Sequence, residues 1–308
     1  MNNQLLTMNG QLLELRSLAS RAENRRTETG IPRVAMVQGE IPEHMLAAVY
    51  EPMINLILQG SKTMTVGDRT LRYDPATYFV MSIELPAVGT IHPAASGEPY
   101  LALSLTLDPA VLATLLTDLA SPAERNESDA GFSVAAVTPE LMDAWLRMLR
   151  LTGRPDEIAA LAPVYEREIL YRVLQGPHGW MLRDIAAPDT AMARVSQAIQ
   201  WIRQDFAEPI RVEALAQRAA MSVSAFHRHF KAVTTLSPLQ YQKRVRLLKA
   251  RMLMVASTKS VTNAAFEVGY ESATQFSRDY ARVFGLPPGR DAARILGETK
   301  GNSVALER

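Results

Sequence analysis

Two segments that lie fifty residues apart carry the same order of hydroxyl, aromatic and guanidinium side chains. An arginine side chain can donate two hydrogen bonds to guanine O6 and N7, and a glutamine side chain can pair with adenine. A repeat at a fixed offset predicts two copies of one structural unit. The matched pairs are Ser222 and Ser272, Ser224 and Thr274, Phe226 and Phe276, Arg228 and Arg278, Phe230 and Tyr280, and Pro238 and Pro288.

In the first copy, a short helix is predicted to lead through Met221 into a second helix that begins at Ser222. The hydroxyl of Ser222 can accept a hydrogen bond from an unpaired backbone N–H group of that helix. Phe226 and Phe230 are four residues apart, which places both on the face turned towards the core. The polar outer face of this helix consists of Ser224, His227, Arg228 and Lys231.

The second copy repeats this plan. Gly269 permits a sharp turn, Ser272 caps the next helix, and Phe276 and Tyr280 anchor it in the core. Two small helices, of which the second is capped and polar on its outer face, fit the major groove of DNA. The outward-facing side chains of this copy are Thr274, Gln275 and Arg278.

Some of these side chains have a second interpretation. Arg228 and Arg278 could instead serve the fold by bridging a neighbouring carboxylate, so their contact with a base or a phosphate is a hypothesis. His227 and His229 are two residues apart on one helix and therefore point to different faces. We expect no metal ion at this histidine pair.

Between the two copies, residues 238–256 are predicted to form one uninterrupted amphipathic helix. Nineteen residues would span roughly 28 Å at about 1.5 Å each, and successive major-groove faces lie about 34 Å apart. Such a helix could hold two DNA-reading units one turn apart. We expect its basic side chains mostly to contact phosphate or solvent. These are Lys243, Arg244, Arg246, Lys249 and Arg251.

The charge of the chain is divided unevenly. Residues 194–290 contain 15 Lys and Arg against 6 Asp and Glu, whereas the remainder contains 18 against 26. A basic segment beside an acidic one is typical of a nucleic-acid-binding domain attached to another domain. A basic surface without a partner is the alternative.

The chain contains no cysteine, which excludes disulfide bonds and cysteine-ligated metal sites. Its first residues lack the uninterrupted apolar stretch of a signal peptide. No run approaches the roughly 20 apolar residues that a membrane helix needs. These features predict a cytoplasmic protein, associated with the nucleoid if it binds DNA.

The first half of the chain has a different pattern. Short apolar segments separated by Gly, Pro and Asp turns lie between residues 31 and 107, and they predict an antiparallel sandwich or barrel. A helix precedes them at residues 4–26, and helical periodicity follows at 109–119, 139–151 and 157–175. The fold class is therefore α+β with two domains.

Three phrases of the C-terminal segment, MSVSAFHRHFK, SPLQYQKRVRLLKARMLM and GYESATQFSRDYARVFGLPP, resemble the DNA-binding domain of the AraC/XylS family of bacterial regulators. The segments YEPMINLILQGSKTM, LRYDPATYFVMSIELP and PYLALSLTLD are similar to the AraC-type N-terminal sensor domain, a cupin-like β-barrel. The segment EREILYRVLQGPHGWMLRDIA is similar to the helices with which that domain ends. The resemblance covers about 85% of the chain.

The resemblance implies a division of the chain. Residues 1–181 would form a cupin-like sensor and dimerisation domain, with the barrel at about 30–108 and helices at 109–176. Residues 182–193 would be a linker and 297–308 a tail. Residues 194–296 would form an all-α DNA-binding domain with two helix-turn-helix units joined by a long helix.

The resemblance also implies function and partners. The protein would be a sequence-specific transcription regulator, an activator by expectation, acting on double-stranded DNA with RNA polymerase, as a homodimer and without a cofactor. Ala273 and Ser277 join the base-contacting positions by family analogy. The candidate DNA-binding residues are thus Ser222, Ser224, His227, Arg228, Lys231, Ser272, Ala273, Thr274, Gln275, Ser277 and Arg278.

The second copy departs from the family pattern at one place. Asp279, Tyr280 and Ala281 stand where the family often has a basic or neutral residue, an aromatic residue and a lysine. The missing lysine removes one expected phosphate contact. Asp279 is expected to weaken binding at that half-site.

Cupin-like barrels also occur as metal-dependent enzymes, so catalysis is one alternative for the N-terminal domain. A catalytic cupin needs converging His and carboxylate ligands, but only His44 and His92 lie in the barrel region. We therefore expect no enzyme and no metal. A barrel that holds a small organic ligand is favoured, and a barrel that only dimerises is the remaining alternative.

The alternating pattern of the strands does not decide which of their two faces lines a pocket in the barrel. One set of faces is rich in leucine, and the other set is mixed in polarity. If the mixed faces line a pocket, its polar anchors are Asn55, Gln59, Tyr78, Ser82 and Glu84. Exposure of these side chains to solvent is the alternative.

An apolar stripe on the helix at residues 157–175 is expected to form the dimer interface. The alternative is that this stripe packs only against the barrel of the same chain. The stripe consists of Ile158, Leu161, Tyr165, Ile169 and Val173.

Overall fold

Alternating apolar side chains build ten strands within the part of the chain that the structure describes. The computed structural model describes residues 2–21, 26–39, 47–119, 130–187, 190–257 and 259–305. The strands are β1 (Arg26–Glu28), β2 (Val34–Gln38), β3 (Ala47–Tyr50), β4 (Met53–Gln59), β5 (Ser61–Val66), β6 (Arg69–Tyr73), β7 (Thr77–Met81), β8 (Leu85–His92), β9 (Leu101–Thr106) and β10 (Phe132–Ala136).

These strands form two antiparallel sheets. The larger sheet has the order β1-β2-β9-β4-β7-β10, and the smaller sheet has the order β3-β8-β5-β6. Because side chains alternate along a strand, each strand of the larger sheet except β1 contributes to two cores. In β4, Leu56 belongs to a core shared with the flanking helices, and Ile57 belongs to the core between the sheets. The second core is the interior of the barrel.

Five α-helices accompany the barrel in the described part of the chain. They are α1 (Asn2–Ala19), α2 (Pro109–Thr117), α3 (Pro139–Arg150), α4 (Ile158–Leu174) and α5 (Gly179–Ala186). Asp108 and Thr138 cap α2 and α3, each followed by proline at the first helical position, which suits a proline that has no N–H to donate. Trp145 of α3 is fully buried in the core that the helices share with the larger sheet.

The α4 stripe packs on its own domain. Ile169 and Val173 are fully buried, and Ile158, Leu161 and Tyr165 are partly buried against the same core. The structure therefore favours packing of this stripe on its own domain over a dimer interface. In addition, the carboxylate of Glu166 accepts a hydrogen bond from Arg33 Nε at 2.9 Å.

Three features of the elements differ from what the sequence indicates. The apolar pattern at residues 78–85 predicts one strand, but the chain crosses from the larger to the smaller sheet between Met81 and Leu85. Strand β10, which pairs with β7, was not expected. The expected linker is largely helical as well: α5 ends at Ala186, and the next helix begins at Ala191.

The C-terminal domain contains seven helices in its described part. They are α6 (Ala191–Gln204), α7 (Val212–Arg218), α8 (Val223–Thr234), α9 (Pro238–Ala256), α10 (Val261–Glu267), α11 (Ala273–Phe284) and α12 (Pro288–Ala305). The bounds of α9 match the helix predicted between the two repeat copies. Ser237 and Gln240 form a capping box at its start. Helix α12 continues into the region expected to be a tail.

The barrel docks directly on the first helix-turn-helix unit. Thr235 Oγ1 donates a hydrogen bond to the carbonyl of Val66 at 3.1 Å, and the N–H of Gly131 donates to the carbonyl of Val233 at 2.9 Å. Apolar side chains of the barrel interior and of α6, α8 and α9 form one continuous cluster. The barrel and the first unit are thus joined by packing as well as by hydrogen bonds.

Candidate nucleic-acid interface

The first recognition helix, α8, is fixed by its cap and by two aromatic anchors. Ser222 has extended backbone angles, and its Oγ accepts a hydrogen bond from the N–H of Ala225 at 3.3 Å. Phe226 and Phe230 are fully buried, with ring centroids 5.5 Å apart. This anchoring turns the opposite face of α8 to solvent. The exposed candidate residues are Ser222, Ser224, His227, Arg228 and Lys231.

The second recognition helix, α11, is built in the same way. The Oγ of Ser272 accepts a hydrogen bond from the N–H of Gln275 at 3.3 Å, and Phe276 and Tyr280 are fully buried. Thr274, Gln275 and Arg278 are exposed, whereas Ser272, Ala273 and Ser277 are half-buried. Ser277 Oγ donates to the carbonyl of Ala273 at 2.8 Å, so its hydroxyl is already engaged within the helix.

A glycine shapes the turn of the second unit. Gly269 has φ +83°, and a Cβ atom at this position would lie 2.0 Å from the carbonyl oxygen of Ala207. A side chain at this position would be strained by the positive φ and excluded by the approaching backbone. Gly269 thus provides the sharp turn that the sequence predicted.

Arg228 and Arg278 form no ion pair with any carboxylate in the described part of the chain. Arg228 lies beside His229, with 3.5 Å between a guanidinium nitrogen and His229 Nε2. The alternative in which these arginines bridge a neighbouring carboxylate is therefore not realised. Both guanidinium groups are on the outer faces of the recognition helices.

Asp279, expected from the sequence to weaken binding at the second half-site, does not face outward. It is 7% exposed, and its carboxylate lies 3.1 Å from Lys243 Nζ. Tyr270 donates a hydrogen bond to it at 3.4 Å. The charge of Asp279 is thus paired inside the protein, which argues against the expected weakening of that half-site.

Two basic residues of α9 are structural and not DNA-facing. The guanidinium of Arg246 donates to the carbonyls of Phe206 at 2.7 Å and Gly269 at 2.9 Å. Arg251 is 4% exposed and forms a two-point ion pair with Asp291, at 2.8 and 3.2 Å. The expectation of phosphate or solvent contact is therefore wrong for both, because tertiary partners take up their donors.

The remaining basic residues of α9 differ in setting. Lys243 pairs with Asp279, and partial burial lowers the pKa of the Arg244 guanidinium. Lys249 is exposed but lines a groove of about 950 Å³ between α9, α6 and the barrel strand β3. Its side chain is therefore directed towards the barrel side of α9.

The five expected pocket anchors do not share one location. Asn55 and Gln59 lie on the interior face of β4, with their amides donating to the carbonyls of Leu103 at 3.0 Å and Pro99 at 2.8 Å. Tyr78 lies on the opposite side of the larger sheet, edge-on to the ring of His178. This placement corrects the expectation that these residues share one face.

Ser82 and Glu84 lie in the crossing segment between β7 and β8, next to the DNA-binding domain. Ser82 Oγ donates to the carbonyl of Gly131 at 3.1 Å and lies 3.4 Å from Met192 Sδ. The carboxylate of Glu84 forms an ion pair with Arg203 of α6. Both residues therefore belong to the interface between the domains and not to the barrel interior.

Sequence reasoning missed one polar residue of the barrel interior. Lys62 of β5 is 8% exposed and shares a strand face with Met64 and Val66. The signal was present, because a period of two aligns this lysine with two buried apolar residues.

The described residues contain neither a cluster of metal-binding side chains nor a helix that could cross a membrane. No group of three or more His, Asp or Glu side chains there could hold a metal ion. His92 Nε2 lies 3.2 Å from Thr63 Oγ1, and His44 lies outside the described residues. None of the described helices combines the length and the apolar character that a bilayer crossing requires.

Two capped helices with exposed polar faces, joined by one long helix, define a double helix-turn-helix protein. The family model for the AraC-type transcriptional regulator N-terminus matches residues 30–181, and a helix-turn-helix domain model matches residues 215–294. The two matches cover about three quarters of the chain. The chain belongs to the AraC/XylS family of transcription regulators.

Curated relatives include the HTH-type transcriptional activator RhaS of Escherichia fergusonii, which is 36% identical over 155 residues, 47% of this chain and 54% of that protein. RhaS of Citrobacter koseri is 37% identical over 105 residues, 32% of this chain and 38% of that protein. The chain thus matches about half or less of the length of these relatives.

The solved structure of apo ToxT from Vibrio cholerae aligns with 88% of this chain and 98% of its own, with a TM-score of 0.54 and 9% identity. ToxT with a bound unsaturated fatty acid aligns with 84% of this chain and 93% of its own, with a TM-score of 0.53 and 10% identity. These likenesses confirm the expected combination of an N-terminal barrel with a helical C-terminal domain.

Proposed function

We propose that this protein is a sequence-specific DNA-binding transcription activator that responds to a small organic ligand in its N-terminal barrel. One observation carries the DNA-binding part: α8 and α11 both present polar faces with an exposed arginine, Arg228 and Arg278, that forms no ion pair with a described carboxylate. Base edges in the major groove offer the acceptors that such guanidinium groups bind. The named function of the RhaS relatives supports activation.

The two recognition helices are proposed to bind successive major-groove faces of one site. Helix α9 spans roughly 28 Å, and it packs against both units as a single rigid element. Arg246 of α9 donates hydrogen bonds to carbonyls of the loop at residues 206–208 and to the carbonyl of Gly269, and so links the second unit to that loop. One chain would therefore occupy two half-sites about 34 Å apart.

The barrel is proposed to have a regulatory and not a catalytic role. ToxT, whose fold is similar, is described with a bound unsaturated fatty acid. Interior polar groups of this barrel include Asn55, whose Oδ1 is buried without a partner in the described structure. Docking of the barrel on α8 and α9 would transmit ligand occupancy to the recognition helices, provided that the ligand favours one arrangement of the domains.

We further infer a cytoplasmic, nucleoid-associated homodimer that contacts RNA polymerase at its promoters. The apolar stripe of α4 is used by the protein's own core. A partner would therefore meet the opposite face of α4, where Val164 is 56% exposed and Tyr171 is 36% exposed. Charged substitutions at these two positions should convert a dimer to a monomer in analytical ultracentrifugation, whereas a retained dimer would exclude this face.

Genome-wide mapping of bound DNA, followed by footprinting on the sites found, tests the proposed function. We expect a shared sequence motif upstream of promoters and protection of two major-groove faces per bound chain. Transcription from these promoters should fall when the gene is deleted. Binding without a shared motif would overturn sequence-specific regulation.

A further inference from the structure

The barrel interior contains a buried lysine without a counter-ion. Lys62 lies on β5, directly opposite Tyr73 of β6 and Ile91 of β8. It is 8% exposed and forms neither a hydrogen bond nor an ion pair with any described residue. Its recorded contact is with an aromatic ring, since the Nζ atom lies 5.1 Å from the ring centroid of Tyr50.

The groups around Lys62 are hydrogen-bond donors and apolar walls. Tyr73 and Tyr100 are almost fully buried, and the hydroxyl of Tyr73 has no partner in the described structure. Burial raises the pKa of Tyr50, Tyr73 and Tyr100, so each keeps its proton at neutral pH. No described carboxylate faces this cluster from β3, β6 or β8. The site therefore favours an acceptor that carries negative charge.

Two small residues of β8 lie on the same face as these donors. On β8, Ala87 and Gly89 pair with Val66 and Met64 of β5, so they occupy the same interior face as Lys62. A ligand body placed there would contact the apolar side chains of the barrel core, among them Phe79, which stacks on Tyr73 at 5.2 Å. The interior thus combines a charged end with apolar walls.

We propose that the barrel binds a small organic carboxylate whose anionic group pairs with Lys62 and accepts hydrogen bonds from the hydroxyls of Tyr73 and Tyr100. This inference rests on the proposed ligand-responsive function and names the chemical class of the ligand. The physical reason is the cost of a buried charge, which falls when an opposite charge and further hydrogen bonds reach it.

Binding of defined carboxylates to the full-length protein tests the proposal. The probes are sodium hexanoate, benzoate and phenylacetate, each compared with its neutral amide by calorimetry and thermal shift. We expect at least one carboxylate to bind about ten-fold or more tightly than its amide. Equal binding of carboxylates and amides, or binding of none of the carboxylates, would overturn the proposal.

Variants locate the site. Lys62→Met keeps an unbranched side chain of similar length, removes the charge, and should abolish the preference for carboxylates. Tyr73→Phe removes one unpaired hydroxyl and should weaken carboxylate binding several-fold with little change in the ligand-free melting temperature. Lys249→Met is the matched control in the groove beside β3. Loss of carboxylate binding in Lys249→Met but not in Lys62→Met would overturn the assignment.

The pH dependence gives an independent readout. Burial lowers the pKa of Lys62 to about 8, so the ammonium is lost as the pH rises above that value. Carboxylate affinity of the unmodified protein should therefore fall between pH 7 and 9.5, and amide affinity should not. The tyrosines that face Lys62 keep their protons across this range. A carboxylate affinity that is constant over this range contradicts the role of Lys62.

The ligand-free protein separates this inference from the function on which it rests. Lys62→Met should melt at a higher temperature than the unmodified protein, because a buried charge is removed, and should bind its mapped DNA sites normally without ligand. If carboxylate specificity fails while DNA footprints are retained, only the ligand class is wrong. If the footprints of the unmodified protein are absent, the proposed function itself fails.

Discussion

The carboxylate of Glu84 in the barrel pairs with the guanidinium of Arg203 on α6, and the side chains are 19% and 32% exposed. The backbone carbonyl of Glu84 also accepts a hydrogen bond from the hydroxyl of Tyr241 on α9, at 2.9 Å. One residue of the crossing segment between β7 and β8 thus contacts two helices of the DNA-binding domain. It is well placed to link the position of the barrel to that of α9.

Replacing Glu84 by glutamine should loosen the docking of the two domains. The partly buried ion pair is expected to contribute about 1 kcal/mol, and the backbone hydrogen bond to Tyr241 is retained. Limited proteolysis of the full-length protein should become faster. Glu98→Gln is the matched control, because Glu98 is exposed and its carboxylate accepts a hydrogen bond only from Ser96 in the described structure. Equal cleavage rates for Glu84→Gln and Glu98→Gln would contradict a role of the ion pair in docking.

Asp291 should be essential for the stability of the second helix-turn-helix unit. It is fully buried and accepts hydrogen bonds from Arg251, Tyr280 and Arg294. Asp291→Asn should destabilise the protein by about 3–5 kcal/mol, because Arg251 is left as a buried charge without a full counter-ion. Glu267→Gln, which affects the exposed pair with Lys259, should cost less than about 1 kcal/mol. Chemical unfolding of both variants measures the difference, and similar values would contradict the account.

The same carboxylate predicts an acid dependence of stability. Burial alone would raise the pKa of Asp291, but hydrogen bonds from Arg251, Arg294 and Tyr280 outweigh it and hold the pKa below the ordinary value of 3.8. A carboxyl group whose pKa is lowered by folding stabilises the folded protein at pH values above its unfolded-state pKa. This stabilisation is lost as the pH falls through the folded-state pKa. The stability difference between the protein and Asp291→Asn should therefore shrink on acidification below about pH 4. A constant difference would contradict this assignment.

Gly269→Ala should disrupt the second unit far more than Gly285→Ala. Both glycines have positive φ, +83° and +77°, but a Cβ atom meets the Ala207 carbonyl at 2.0 Å only at position 269, whereas position 285 is open. The φ strain costs about 1–2 kcal/mol at either site, and the clash adds to it at Gly269. Thermal unfolding and DNA-affinity measurements on the Gly269→Ala and Gly285→Ala variants test this difference. Equal losses would show that close backbone approach is unimportant at the turn.

Arg228→Ala and Lys231→Ala should separate base contact from phosphate contact on the first recognition helix. Loss of an arginine paired with guanine should cost about 1–3 kcal/mol on the specific site and relax selectivity there. Loss of a phosphate contact at Lys231 should weaken all sequences alike and reduce the salt slope by about one unit. Titrations on a mapped site and on random DNA distinguish these results. Equal losses of affinity on both DNAs for Arg228→Ala would show that Arg228 contacts the DNA phosphate backbone and not a base.

The helix-turn-helix units are predictable from the sequence because their determinants are local. A capping serine, such as Ser222 or Ser272, and two aromatic residues four positions further on and eight positions further on fix the start and the buried face of a helix. The bounds of α9 follow in the same way, from Ser237 before Pro238 and the uninterrupted pattern behind it. Each of these signals lies within one turn or one helix.

The residues that a long polar side chain contacts in the folded protein are not predictable in this way. Arg246 and Arg251 resemble exposed basic residues in the sequence, but their partners lie about forty residues away, at Phe206 and Asp291. The same limit applies to Tyr78, because only the arrangement of the two sheets decides which strand face meets the helices. Lys62 shows the reverse case, since its alignment with Met64 was a local signal of burial.

The central claim is that α9 holds two recognition helices on one side of a single DNA site. Affinity for a mapped site is compared with that for the same site carrying five additional base pairs between its two half-sites. This insertion moves one half-site about half a turn around the DNA axis. The structure predicts that affinity falls to that of a single half-site, because α9 cannot follow the rotation. Unchanged affinity on the lengthened site would contradict the claim.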